Sequence, residues 1–127
     1  RPITRGCYDS PMRPPCAGLW STPMVHVDGS VTTCCLDERL ENRIGNLVQT
    51  PLAALWRGPL MQSWRRAHVE GRFEASGPLC TRCNWRSAGA VPDEDVESWL
   101  KAQNDPTLTA RWRARRAAAQ TEPKEGR

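Results

Sequence analysis

No stretch of this 127-residue chain approaches the roughly 20 apolar residues that a membrane-spanning helix needs. No apolar leader of the secretory kind opens it, so the cytoplasm is the expected compartment. Phenylalanine and tyrosine occur once each, which leaves the aromatic content to six tryptophans. A basic footprint is missing from most of the chain: residues 1–106 hold twelve basic and twelve acidic residues, which cancel. Residues 107–127 hold six basic and two acidic residues, so the whole excess of +4 lies at the end. That distribution argues against nucleic acid as a partner of the main body. The arginines at 111, 113, 115 and 116 read as a solvated helix face, or as a surface that docks on a partner domain.

What is present is a set of six cysteines: Cys7, Cys16, Cys34, Cys35, Cys80 and Cys83. An even count permits disulfides, but adjacent Cys34 and Cys35 and the missing leader disfavour a secreted disulfide framework. The Cys80-Thr81-Arg82-Cys83 pair could be a redox dithiol, which normally sits where a strand runs into a helix. Here Gly77-Pro78-Leu79 precedes it, a turn, so the pair reads as a loop clasp for a metal. Four cysteines serve zinc or an iron–sulfur cluster equally well by ligand type. Zinc ribbons usually carry two Cys-x-x-Cys knuckles, whereas this chain has one knuckle and one wide clasp, Cys16 with Cys34. The asymmetry favours a cluster, which needs its ligands spread further. Zinc stays the alternative. Cys7 reads as a spare thiol, and His26 and His68 as surface or packing residues rather than ligands.

The scaffold reads as α+β: a small β-hairpin, then short helices around the four-cysteine site, then a C-terminal helical extension. Residues 1–13, rich in proline and arginine, are expected to be an irregular linker. Residues 22–35 predict a hairpin on Val25, Val27 and Val31, closed by a two-residue type I′ turn at Asp28-Gly29, with Pro23 opposite Cys34. The mixed charges of 36–47 predict a solvated connection ending in a turn at Gly45-Asn46. Thr50 reads as an N-cap and Pro51 as the first helical residue of a helix bearing Leu52, Leu55 and Trp56. A second helix carries Leu60, Trp64, Ala67 and His68 on one side and stops at Gly71. Trp56 and Trp64 are expected in the core, and Trp85 is placed to shield the metal from water. Asp93-Glu94-Asp95 opens a helix with a favourable dipole contact, bearing Val96, Trp99 and Leu100. A last helix over 107–120 carries Leu108 and Trp112, and 121–127 reads as disordered.

In their order and spacing, Cys16-Ala-Gly-Leu-Trp20, Val25-His-Val-Asp-Gly29-Ser-Val-Thr-Thr-Cys34-Cys35, Ile44-Gly-Asn-Leu47, Pro51-Leu-Ala-Ala-Leu-Trp56 and Cys80-Thr-Arg-Cys83 resemble the SPASM domain. That is the auxiliary iron–sulfur module C-terminal to the barrel of many radical SAM enzymes. The resemblance covers residues 14–86, followed by the helical extension at 87–120. It implies one auxiliary 4Fe-4S cluster on Cys16, Cys34, Cys80 and Cys83, with Cys35 as the neighbour that could replace Cys34. No cysteine follows Cys83, so the second cluster of the longer form is not expected. The Cys-x3-Cys-x2-Cys loop that holds the catalytic cluster is also missing, and a barrel of about 200 residues or more would not fit. The resemblance thus implies an accessory module that is not catalytic alone. It would be a C-terminal fragment or a stand-alone partner of a radical SAM barrel acting on a peptide or small metabolite.

Overall fold

The computed structural model describes residues 13–81, 83 and 90–121. Cys7, Trp85, the linker at 1–12 and the tail at 122–127 lie outside the described residues. The fold is α+β. A short helix α1 (Gly18–Ser21) leads into strands β1 (Met24–Val25), β2 (Ser30–Thr32) and β3 (Gly45–Asn46). Helices α2 (Leu52–Trp56), α3 (Pro59–Glu70), α4 (Pro78–Thr81), α5 (Asp93–Gln103) and α6 (Pro106–Thr121) follow, with a 3-10 turn at Phe73–Ala75 between α3 and α4. No described helix is long and apolar enough to cross a membrane.

The expected hairpin forms, but its turn differs. The register pairs Met24 with Thr32 and Val25 with Val31, and the His26 N–H donates to Ser30 O. Val27, Asp28 and Gly29 therefore form a three-residue loop, not a two-residue one, with Gly29 alone at positive φ, +91°. The Asp28 carboxylate explains the choice: it accepts from both the backbone N–H and the hydroxyl of Ser30, a local turn that leaves Asp28 itself out of the left-handed region. The register, continued, places Pro23 opposite Thr33 rather than Cys34. Gly45 and Asn46, expected as a turn, instead form the third strand, antiparallel to β2 and opposite Val31 and Ser30. Leu55 packs so tightly on Gly45 that a Cβ there would come within 2.4 Å of it. Packing of the Leu55 side chain, not turn chemistry, fills the space a side chain would need there.

Among the helices, Thr50 makes no capping bond; Pro51 occupies the cap position of α2 in extended conformation. Pro59 opens α3, where its missing N–H costs nothing. Gly71 ends α3 in the left-handed region, φ +78°, and the Arg72 N–H closes back on Ala67 O. Leu60 is exposed, and Met61 takes its place among the buried residues with Trp64, Ala67 and His68. The acidic start of α5 is observed, and Asn104 closes that helix at φ +54°. Two apolar clusters form. Leu19, Met61 and Trp64 pack with half-buried Trp20, Ile44 and Trp56. Val69, Val91, Val96, Leu100, Leu108 and Trp112 form the other, joining α3 to both C-terminal helices.

Candidate metal centre

Four thiols from three separated segments lie within electrostatic reach of one another. Cys80 and Cys83 lie near enough to Cys16 to act on it electrostatically, and Cys16 and Cys83 act likewise on Cys34. Cys35 is the exposed member of the adjacent pair, and Cys34 is half-buried and within electrostatic reach of Cys16 and Cys83. Burial raises the pKa of Cys16 and Cys80, and burial raises that of Cys34 to about 11. Binding of a thiolate-seeking metal would therefore release protons.

Each cysteine is delivered by identifiable contacts. Cys16 stands on a segment pinned to the C-terminal part: it bridges to Ala90, and the Val91 N–H donates to Pro15 O. Its own N–H donates to Nδ1 of His68, at 3.1 Å. That bond requires neutral imidazole with its proton on Nε2. Burial, then the charges of Arg13 and Arg115, push the His68 pKa down to about 3, which maintains that state. His68 is thus no ligand but the support beneath the first cysteine. Its ring meets Phe73 edge to face, 4.7 Å between centroids, and Phe73 in turn underlies the Arg13 guanidinium at 3.8 Å.

Cys34 leaves the end of β2, and its sulfur accepts the Leu36 N–H at 3.3 Å. Cys80 lies on α4, one helical turn, and the Cys83 N–H folds back onto Cys80 O. Among the described residues, a 3-10 turn and the short helix α4 lead into this pair, not a strand.

The connection at 36–47 is not merely solvated. Asp37 is buried, and its carboxylate accepts from the Thr32 hydroxyl and from the N–H groups of Glu41 and Asn42. Three donors offset the cost of burying the charge. Leu40 within the same loop sits at φ +58°, a conformation that costs a non-glycine residue roughly 1–2 kcal/mol. The strained loop delivers Asn42, which is fully buried, to the sulfur of Cys80: Nδ2 lies 3.3 Å from Sγ.

Arg13, assigned to the linker from sequence, belongs to the centre. It is buried, donates to Cys80 O at 3.2 Å, and its charge lowers the pKa of both Cys16 and Cys80. Arg115 of α6 clasps the same region, donating to Val69 O at 3.0 Å and to Arg13 O at 2.8 Å. A cation and several N–H donors around an all-sulfur set suit a negatively charged metal–sulfur group. Among the described residues, no three His, Cys, Asp or Glu side chains converge closely enough for a single metal ion.

The arginine-rich end is also occupied within the chain. Arg111 pairs with Glu70, Arg113 with Glu97, and Arg116 with Asp93. The motifs announced the cysteines. Arg13, Asp37, Asn42 and Arg115 gave no such signal, since each acts on residues remote in the chain.

A family model described as SPASM, an iron–sulfur cluster-binding domain, matches residues 16–84. No curated protein and no solved structure matches the chain.

Proposed function

The chain belongs to the SPASM family of iron–sulfur cluster-binding domains, and on that premise we propose that Cys16, Cys34, Cys80 and Cys83 hold one 4Fe-4S cluster, in an accessory module for a radical SAM catalytic domain present in cis or in trans. The observation that supports this reading is that Cys16, Cys34, Cys80 and Cys83, from three remote segments, lie within electrostatic reach of one another, with Arg13 acting on Cys16 and Cys80. A zinc site would hold four sulfurs about 2.3 Å from one ion, hence roughly 3.8 Å from one another. The asymmetric ligand pattern, one Cys-x-x-Cys knuckle with the wide Cys16–Cys34 clasp, supports the wider group.

When bound, the cluster would supply one-electron transfer. The residues of this chain have defined tasks around it. Four thiolates fill every ligand position, leaving none for substrate. His68 fixes the Cys16 backbone, and Arg13 offsets negative charge while holding Cys80 through its carbonyl. The module on its own would turn nothing over. Its service to a barrel would be electron transfer and shaping of a pocket for a peptide or small metabolite.

The test is anaerobic purification or reconstitution of the chain with iron and sulfide. The expected product is brown, with about four irons and four sulfides per chain. A colourless protein containing one zinc would refute the assignment. Addition of a radical SAM barrel encoded beside it should then restore a reaction that neither performs alone.

A further inference from the structure

Asn42 is the best-fixed polar side chain near the four thiols, and nothing in the cysteine pattern predicts it. Every polar atom of its amide is committed. Oδ1 accepts the Leu79 N–H at 2.9 Å, one residue before Cys80. Nδ2 donates to the Thr33 hydroxyl at 3.1 Å, one residue before Cys34, and to Cys80 Sγ at 3.3 Å. Its backbone N–H is tied to the buried Asp37 carboxylate at 2.7 Å. The amide therefore spans the two ligand loops and cannot rotate without breaking three bonds.

Gly77 completes the arrangement. A Cβ there would fall 2.4 Å from Asn42 Oδ1 and 2.6 Å from Nδ2, closer than atoms can approach. The glycine keeps open the space that the amide fills.

We propose that Asn42 is a positioning residue that sets the reduction potential of the cluster through its N–H···S bond to Cys80. The inference rests on the ligand assignment above. A donor to a thiolate sulfur favours the more negative, reduced state, so the bond raises the potential. Being buried away from water, it acts without competition from solvent. The brace also explains why a strained loop is retained at residues 37–42: it places one amide against one sulfur.

Two substitutions test this from opposite sides. Asn42→Asp keeps the acceptor for Leu79 and lets the Thr33 hydroxyl donate instead; it removes the donor to sulfur and adds a negative charge that lowers the potential in the same direction. Gly77→Ala leaves Asn42 intact, adds no charge, and pushes its amide off the sulfur. Both loaded variants, titrated anaerobically with dithionite and mediator dyes, should show wild-type iron and sulfide content. Both should show a reduced-to-oxidised ratio at fixed potential about tenfold lower, a shift of about 59 mV for one electron. Normal loading of Gly77→Ala with an unchanged potential overturns the role of Asn42 and leaves the cluster reading intact, because a shift in Asn42→Asp alone is the effect of its charge. If Asn42→Asp does not load, Gly77→Ala decides alone by the same titration. Wild-type chain that loads no cluster, or a Cys80→Ser chain that loads one with unchanged spectrum and potential, overturns the ligand assignment and this inference with it.

Discussion

The cysteine-bearing loops and the C-terminal helix pair are held by different forces. Around the thiols, at residues 13–16, 30–42 and 77–81, the contacts are mostly polar: a buried carboxylate, a buried amide, a neutral imidazole and two arginines bonded to carbonyls. In α5 and α6, burial of Val96, Leu100, Leu108 and Trp112 does the work, and exposed ion pairs cover the outside. The polar region gains its order from precise partners, and four of its groups are thiols that a metal would join. The helical region needs no metal. Loss of the metal should therefore separate the two.

The largest effect is expected from Cys80→Ser. It should abolish the visible chromophore and remove the stabilisation that a tight ligand contributes, about 4 kcal/mol where the free ligand exceeds its Kd a thousandfold. Amide exchange should then be fast over residues 30–42 and 77–81 while α5 and α6 retain protection. Equal loss of protection in both regions would erase the distinction. Next comes Trp112→Ala, which empties a fully packed site and should cost about 3–5 kcal/mol by denaturant unfolding. Here the helices should suffer first, with the loaded chromophore persisting in the folded fraction.

Arg115→Ala sits on the seam. It removes a charged donor from Val69 O and Arg13 O and should cost about 1.5–3 kcal/mol while loosening Cys16 as well. His68→Leu deprives the Cys16 N–H of its acceptor and should cost about 1–3 kcal/mol, with faster exchange at that amide as the specific sign. The smallest effect belongs to Arg113→Gln. Its partner Glu97 is held at 2.9 Å, but the two side chains are 67% and 38% exposed, so the denaturant midpoint should barely move, and less still in salt.

The same division decides what could be read in the sequence. Helical periodicity and end signals revealed α2, α3, α5 and α6, because amphipathic burial and caps are local patterns. Their errors are one-step shifts: Met61 for Leu60, Pro51 for Thr50. The hairpin was visible in Asp28-Gly29, but the turn type depended on the carboxylate of Asp28 reaching Ser30, which composition does not disclose. β3 was hidden because a two-residue strand has no period to detect. The four cysteines were legible as a spaced motif. Their supports were not: Asp37 looked like one charge among several until its three donors closed around it, and Asn42 became meaningful only beside Gly77 and Cys80. Side chains that serve a site across the chain leave no regular trace in it.

The clasp of Arg115 on the Arg13 carbonyl spans 102 positions, and it fixes the segment that carries Cys16. A chain emerging from the ribosome exposes all of its sulfur ligands before that clasp can close. The segment that carries Cys16 therefore reaches its folded setting only once α6 has been synthesised and docked, late relative to the hairpin and α3.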